Sequence, residues 1–534
     1  MKTVPFRVFL LAFSVTHIVT ATCSSSLYSC PAANGEGYSL VAECLHCGGG
    51  NHFEDTTNMV CARRQIFSAD YFGYDTAGTL IWFLTAGIAT ACGVGGGGIY
   101  VPMGMLVVRF AAKTSSGLSQ ASIAGASLGG LLLNLYAMHP NQKIVSNAAR
   151  KGGNEKIVYY TRPLIDYDMT LFLAPMVMAG AVLGVLVQKV LPNWLYLCCA
   201  IVISGITAFL TWRTYFRKRQ GELDASAAKN SANSEPSTEG VRLNEASSSP
   251  EPNEVPSSEV ELSITPSNDV ENLHLNDSEM ETSDDTDENV KARIAFLELD
   301  SRQFPAEKLC SLGLLWLVLL LLTFLVGGKG VKSLVGVECS DTAYPVLIVV
   351  QFAWLLGFSL YFGLKVVDER KRRDAVNYPW QSTDVVWSKS NLILYSKWCF
   401  LAGVISGVIG IGGGMVLGPL MLTMGVDPRV STATTATMIV MTASSVSIMY
   451  AVTGYISWDY YCYFSVVCIL GAYFGKGYID AYVKRTGMAS MLVGLMATII
   501  SLSVLGFIVI LFTNLGNRGW CIDGFTALCV KTSD

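Results

Sequence analysis

The stretch Gly93-Val-Gly-Gly-Gly-Gly-Ile-Tyr-Val-Pro102 decides how this chain folds, because it recurs as Gly410-Ile-Gly-Gly-Gly-Met-Val-Leu-Gly-Pro419. Each copy lies inside a long apolar run. Each is followed by small polar residues, Lys113-Thr-Ser-Ser-Gly-Leu-Ser-Gln-Ala-Ser122 and Arg429-Val-Ser-Thr-Ala-Thr-Thr-Ala-Thr437. Glycine clusters form helix poorly, and proline withholds a backbone donor. Within hydrocarbon, an opened backbone is tolerated only where protein or a wet cavity surrounds it. Two such breaks at corresponding places in two halves point to a transporter's binding site.

The surroundings agree. Hydrophobic residues make up 51% of the chain and charged residues 15%, with mean hydropathy +0.43. That balance describes a polytopic protein whose partner is the lipid bilayer. The net charge of -4 comes from one acidic stretch, and no charge pattern favours nucleic acid. Residues 1–22 read as a signal peptide, with Lys2 and Arg7, a short apolar run from Val8 to Phe13, and small residues near Ala21. Residues 23–75 form a polar segment outside the cytosol holding Cys23, Cys30, Cys44, Cys47 and Cys61. Disulfides are expected there, with a redox or zinc role for Cys44-Leu-His-Cys47 as the sharper alternative.

The apolar runs then fall into two membrane repeats. Repeat 1 covers 76–212: the broken stretch Thr76–Phe110, then spans Leu118–Ala137, Met169–Val190 and Trp194–Trp212. Repeat 2 covers 392–512: the broken stretch Leu392–Gly425, then Val430–Val452, Trp458–Phe474 and Met488–Phe512. Between them, 213–308 is an acidic cytoplasmic linker. From Gly221 to Val290 it is too poor in apolar residues to repay ordering and reads as disordered. Its serines suit phosphorylation, its charge suits cytoplasmic partners, and Lys291–Asp300 carries a weak amphipathic helix signal. Two linking helices occupy 309–364, a basic cytoplasmic loop 365–391, and an extracytosolic tail 513–534.

Charge fixes the orientation. Basic loops face the cytoplasm. With the mature N-terminus outside and each broken stretch returning to its own side as a hairpin, the loop His139–Asp168, Arg213–Arg219, Lys365–Arg373 and Lys476–Arg485 all fall inside. Cys23, Cys30, Cys44, Cys47, Cys61, Cys339, Cys521 and Cys529 then fall outside. The two halves consequently enter from opposite sides. The expected fold is an all-α polytopic protein of two inverted repeats, each a Gly-broken hairpin plus three helices, with two extra spans between.

At the breaks, an interrupted helix exposes N–H groups and the positive end of its dipole. Amides beside Gly95, Gly96, Gly97 and Gly98, and beside Gly412, Gly413 and Gly414, could cradle a small anion, with Pro102 and Pro419 closing each break. Ser115, Ser116, Ser431 and Thr432 offer hydroxyl donors, and Lys113 and Arg429 occupy matching places. The bland alternative is close helix packing by small residues. Gly93-x-Gly95-x-x-Gly98 matches a dinucleotide fingerprint by letter but lacks its strand, and no Gly-Lys-Ser/Thr loop signals an ATP motor. No cofactor, metal or catalytic group is expected.

These residues resemble a known family. Gly95-Gly-Gly-Gly-Ile-Tyr-Val-Pro102, His139-Pro140, Leu164-Ile-Asp-Tyr-Asp168 with Pro175-Met, Gly412-Gly-Gly-Met-Val-Leu-Gly-Pro419 and Val430-Ser-Thr-Ala-Thr434 look like the TauE/SafE sulfite-exporter-like family, also called toluene-sulfonate-uptake permeases. The likeness is greatest to its longer, plant-type members. It implies transport of sulfur-containing or organic anions such as sulfite or sulfonates without ATP. The loop between His139 and Ile165 is longer than the family pattern. A membrane receptor or scaffold, using the Cys-rich segment and the acidic linker, is the alternative from another class.

Overall fold

The computed structural model describes residues 65–139 (except 70, 92, 94 and 111), 157–232, 287–326, 337, 341–381, 384–452, 455–486 and 489–517, and short strands before and among them. The proposed signal peptide, the linker over 233–286 and the tail beyond 517 lie outside the described residues. So do Cys23, Cys44, Cys47, Cys339, Cys521 and Cys529.

Four strands mark the polar N-terminal segment: β1 (Tyr28–Pro31), β2 (Tyr38–Val41), β3 (His52–Asp55) and β4 (Val60–Arg63). β1 pairs antiparallel with β2, β3 pairs antiparallel with β4, and β1 meets β4 in parallel. Repeat 1 then contributes α1 (Phe72–Ala91), the ten-residue α2 (Gly97–Leu106) and α3 (Ala112–Asn134). A hairpin of β5 (Lys143–Ser146) and β6 (Ile157–Tyr160) fills the long polar loop. α4 (Tyr167–Val190) and α5 (Asn193–Ala232) follow.

The linker ends in α6 (Asp287–Asp300), and the linking spans are α7 (Ala306–Val326) and α8 (Ala343–Ala375). Repeat 2 gives α9 (Lys389–Ile409), the ten-residue α10 (Gly414–Thr423), α11 (Pro428–Val452), α12 (Trp458–Thr486) and α13 (Ala489–Asn517).

Local chemistry accounts for the helix ends. Asp166 caps α4 by accepting from the Met169 amide at 3.0 Å, and Ser388 caps α9 from Asn391 at 3.2 Å. α11 opens with Pro428 in its first turn, where the missing N–H costs nothing, and the Asp427 carboxylate takes the Arg429 amide at 2.8 Å. α9 stops at Gly410, whose φ of 76° is the left-handed conformation that glycine adopts freely.

Three boundaries differ from expectation. The span expected over Leu118–Ala137 is the helix α3, Ala112–Asn134, so the Ser/Thr run lies within it from its first turn. The third span of repeat 1 does not end at Trp212 but continues as helix to Ala232. The linker, expected as disordered from Gly221, therefore has helix at its start, and the weak helix signal over Lys291–Asp300 is met by α6. α8 likewise carries the basic run Lys365–Arg373 as helix. Charged residues spaced along a helix keep the hydrogen-bonding ladder while their heads reach water, so a span does not stop where apolarity stops.

Among the described residues, eight helices are long and apolar enough to cross a membrane: α4, α5, α7, α8, α9, α11, α12 and α13. The membrane-crossing part is helical throughout, a multi-pass architecture, with the strands confined to the polar segments. α4 and α11 are the central pair, with 78% and 83% of their apolar windows buried against 22% and 28% for α7 and α8.

The halves pack by exchange. α4 runs parallel to α9, so close that a Cβ on Gly180 would sit 2.1 Å from the Phe400 carbonyl and one on Gly184 2.4 Å from that of Val404. Its counterpart is α1 beside α12, where a Cβ on Gly471 would meet the Phe83 carbonyl at 2.3 Å and one on Gly475 would meet Gly87 Cα at 2.4 Å. Small residues permit this approach, and close van der Waals packing drives helix association in lipid. α3 and α11 are antiparallel: Gly117 faces Tyr450, while Ile123 and Ile439 meet over Gly95. α5 and α13 are antiparallel too, joined by Trp212 Nε1 donating to Ser501 Oγ at 3.0 Å and by the Ser490 amide donating to Glu222 at 2.7 Å.

Candidate functional site

Both glycine stretches are real breaks between helices. Gly93 and Gly95 have φ of 73° and 74°, and their counterparts Gly410 and Gly412 have 76° and 78°. The two breaks thus share a left-handed pair, and differ at the next glycine, where Gly96 is also left-handed at 80° and Gly413 is not. Each break then starts a short apolar helix, α2 or α10, whose N-terminus lies in the interior; Gly95, Gly96, Gly97, Gly98, Gly412, Gly413 and Gly414 are all buried.

The two breaks touch. A Cβ on Gly97 would lie 1.6 Å from the Ile411 carbonyl oxygen, so backbone meets backbone there. Each break is also packed under the opposite half's polar helix. Gly410 lies under Ser116 of α3, and Gly93 lies under Thr432 of α11, where a Cβ would come 2.1 Å from Ser116 Oγ and 2.6 Å from Thr432 Cγ2.

The hydroxyls of α3 satisfy the carbonyls that α9 leaves open at its end. Ser116 donates to the Ile409 carbonyl at 3.2 Å, Ser119 to that of Gly410 at 2.7 Å, and Gln120 to that of Ser406 at 3.2 Å. Tyr196 of α5 adds a second donor to Ile409 at 3.1 Å, and Gln188 donates to Ser116 while accepting from Tyr450. A terminal carbonyl buried without a partner costs about 1–3 kcal/mol, which is why a helix ending inside the protein is met by a polar face.

Of the other residues singled out in the sequence, Ser115 donates to the Phe110 carbonyl at 3.4 Å and sits under Gly104. Pro102 is buried in α2 and packs towards Gly506. Pro419 occupies the same place in α10, and Ser431 is buried in the first turn of α11. Lys113 reaches the Lys189 carbonyl at 3.4 Å, whereas Arg429 is exposed. The structure therefore gathers the glycines, Ser116 and Thr432 at one crossing, and leaves Lys113 and Arg429 at the ends of their helices.

A cavity of about 120 Å³ opens at the end of the bundle that carries the basic loops. Its cations are Arg162, Arg302, Lys308, Arg370 and Arg373; its carboxylates are Asp166, Asp168, Asp300, Glu369, Asp384 and Asp427. Three cations are locked in pairs on the wall: Arg162–Asp384 at 2.7 Å, Lys308–Asp168 at 2.7 Å and Arg373–Asp300 at 3.1 Å.

α6 roofs this vestibule. Leu297 is buried against Tyr378 and Trp380, and Asp300 also accepts the Tyr378 hydroxyl at 2.6 Å. Burial, then the Asp300 carboxylate, pushes the Tyr378 phenol far above its ordinary range. Gln303 donates to the Leu135 carbonyl, and Trp380 stacks under the Arg370 guanidinium at 3.6 Å.

Asp166 links the vestibule to the centre. Its amide donates to Thr434 Oγ1 of α11 at 3.1 Å, two residues on from Thr432. Burial, and then the charge of Asp168, pushes its carboxyl above the usual carboxylate range, against the Met169 amide and the cations Lys308 and Arg162. Reading for breaks alone misses Asp166, Ser119, Gln120 and Gln188. Leu164-Ile-Asp-Tyr-Asp168 was the visible signal for the first, but no sequence feature tells which hydroxyl of α3 faces α9.

Comparison with known proteins agrees with this architecture. The family described as "Sulfite exporter TauE/SafE" matches residues 310–504. Three similar proteins, all from Arabidopsis thaliana, are Sulfite exporter TauE/SafE family protein 2, protein 5 and protein 3. Protein 2 is 25% identical over 441 residues, 80% of this chain and 80% of its own. Protein 5 is 26% identical over 430 residues, covering 79% and 80%. Protein 3 is 27% identical over 433 residues, covering 80% and 76%. No solved structure matches. Matched by that family model over residues 310–504 and aligned with those relatives over about four-fifths of its length, the chain resembles the sulfite exporter TauE/SafE family.

Proposed function

We propose that this protein is a secondary transporter for small anions, with sulfur-containing or organic anions such as sulfite or sulfonates as its substrates. The observation that carries the reading is the crossing of two opened backbones, Gly97 against Ile411, in the middle of a membrane bundle. Short helices broken at depth aim N–H groups and positive dipole ends into the protein, and such breaks accommodate anions in other transporters. The relatives' printed names contribute the substrate class.

Alternating access between inverted halves follows from the same geometry. The antiparallel α3–α11 and α5–α13 pairs, with the parallel exchange pairs α4–α9 and α1–α12, support opposite orientation of the two repeats. In this conformation Ser116 and Ser119 are engaged with backbone carbonyls, so the binding role falls to amides beside Gly95–Gly98 and Gly412–Gly414. On this reading the basic loops face the cytosol, the vestibule opens on that side, and the protein resides in a membrane of the secretory pathway.

The test is purified protein in liposomes, with tracer flux measured for sulfite, sulfate, a sulfonate and a carboxylate. Saturable flux of at least one sulfur anion, competed by the unlabelled ion, is expected. Absence of flux for the whole panel, with correctly folded protein in the bilayer, overturns the reading.

A further inference from the structure

Resting on that transporter reading, we propose that Asp166 is a proton-operated selectivity residue of the vestibule. As a carboxylate it bars anions from the path to α11, and with a proton on Oδ2 it admits them.

Three observations carry this. First, the nearest cations are already committed: Arg162 to Asp384, Lys308 to Asp168 and Arg373 to Asp300. The Asp166 carboxylate accepts only the Met169 amide, through Oδ1, and makes no ion pair among the described residues. Second, the vestibule wall carries five cations and six carboxylates, one negative charge in excess. Protonating Asp166 brings the wall to neutrality. Third, Asp166 is tied through its own amide to Thr434, two residues along α11 from Thr432, which covers Gly93. In this proposal a solute moving from vestibule to crossing passes this carboxyl.

The groups facing it come from every neighbouring element. They are Asp168 on α4, Arg162 and His139 from the loops before it, and Lys308 on α7. Glu369, Arg370 and Arg373 of α8, Asp300 at the end of α6, Arg302 just after it, Asp384, and Asp427 ahead of α11 complete the set. Its raised proton affinity, caused first by burial and next by Asp168, places the switch nearer neutrality than a free aspartate would. The step itself is simple. A proton from water on the vestibule side forms an O–H bond on Oδ2, no other bond breaks, and Oδ1 keeps its cap on α4.

Protonation removes one like charge a few ångströms from the incoming anion, and the expected gain in admission is on the order of tenfold.

The experiment is tracer exchange of methanesulfonate in liposomes with equal pH on both faces. A sulfonate stays a monoanion throughout, so substrate protonation does not contribute. Wild-type exchange is expected to rise about tenfold overall as the pH is lowered from neutral into the acid range. Asp166→Asn keeps a side-chain oxygen able to cap α4 but cannot titrate, so its profile should be flat. Asp166→Glu should keep the rise with a shifted midpoint. A flat wild-type profile, or a rise retained in Asp166→Asn, overturns the assignment while leaving transport intact. Should Asp166→Asn fail to fold, the Glu variant decides, an unshifted midpoint counting against the proposal. No exchange of any anion at any pH instead removes the transporter reading and this inference with it.

Discussion

The contact between the two breaks can be tested with a single methyl group placed on each side of it. In Gly97→Ala, the new Cβ would lie 1.6 Å from the Ile411 oxygen, 2.1 Å from its carbonyl carbon and 2.6 Å from Ile123 Cδ1. An ordinary carbon–oxygen contact is about 3.3 Å, so backbone must separate by more than 1 Å. Overpacking that a side chain can absorb costs about 1–3 kcal/mol. Here the obstacle is the backbone of the second break, which Ser116, Ser119 and Tyr196 hold by its carbonyls, so the cost should reach or exceed the top of that range. In Gly413→Ala, by contrast, the Cβ meets nothing closer than 3.4 Å, and φ is not positive. Gly413 precedes α10, where alanine caps worse than glycine by about 0.5 kcal/mol. Thermal unfolding in detergent, followed by the monodisperse fraction on size exclusion, should therefore lose several degrees for Gly97→Ala and about one or less for Gly413→Ala. Equal losses, or a Gly97→Ala protein as stable as wild type, would refute the crossing and with it the midplane site.

Two other expectations concern the linker. Asp300→Ala leaves Arg373 with only Glu369, at 3.6 Å, and removes the acceptor of Tyr378; breaking a pair this enclosed costs on the order of 3 kcal/mol, so hydrogen exchange over 287–300 should accelerate while the spans stay protected. Unchanged exchange there would mean that α6 is held by its other contacts, Leu297 against Tyr378 and Arg293 donating to the Val376 carbonyl at 2.9 Å. Asn276-Asp-Ser278, the chain's N-x-Ser/Thr acceptor, should remain unglycosylated in a eukaryotic host, because the proposed topology keeps the linker in the cytosol; a glycosidase-sensitive mobility shift that Asn276→Gln removes would reverse the orientation.

The chain's linear pattern determined a good deal. Apolar runs of membrane length, and a glycine cluster repeated at matched places, required two broken hairpins whatever the tertiary arrangement, because hydrocarbon leaves a backbone few alternatives. The two ten-residue helices α2 and α10 and the left-handed Gly93/Gly95 and Gly410/Gly412 pairs follow from those letters alone. The helix boundaries were less visible, since α5 and α8 run on through charged residues whose side chains reach water without disturbing the ladder.

What only the tertiary structure decided is which polar groups face which. Ser116 and Ser119 read as candidate ligand donors, yet they meet the carbonyl end of α9, a partner some 290 residues away. Asp166 and Asp168 are two residues apart and look alike in sequence. One is paired with Lys308, and the other faces the vestibule with an amide as its carboxylate's sole partner among the described residues. Periodicity fixes a residue's place on its own helix, but the charge or dipole opposite it depends on how distant helices pack, and that long-range arrangement sets both proton affinity and role.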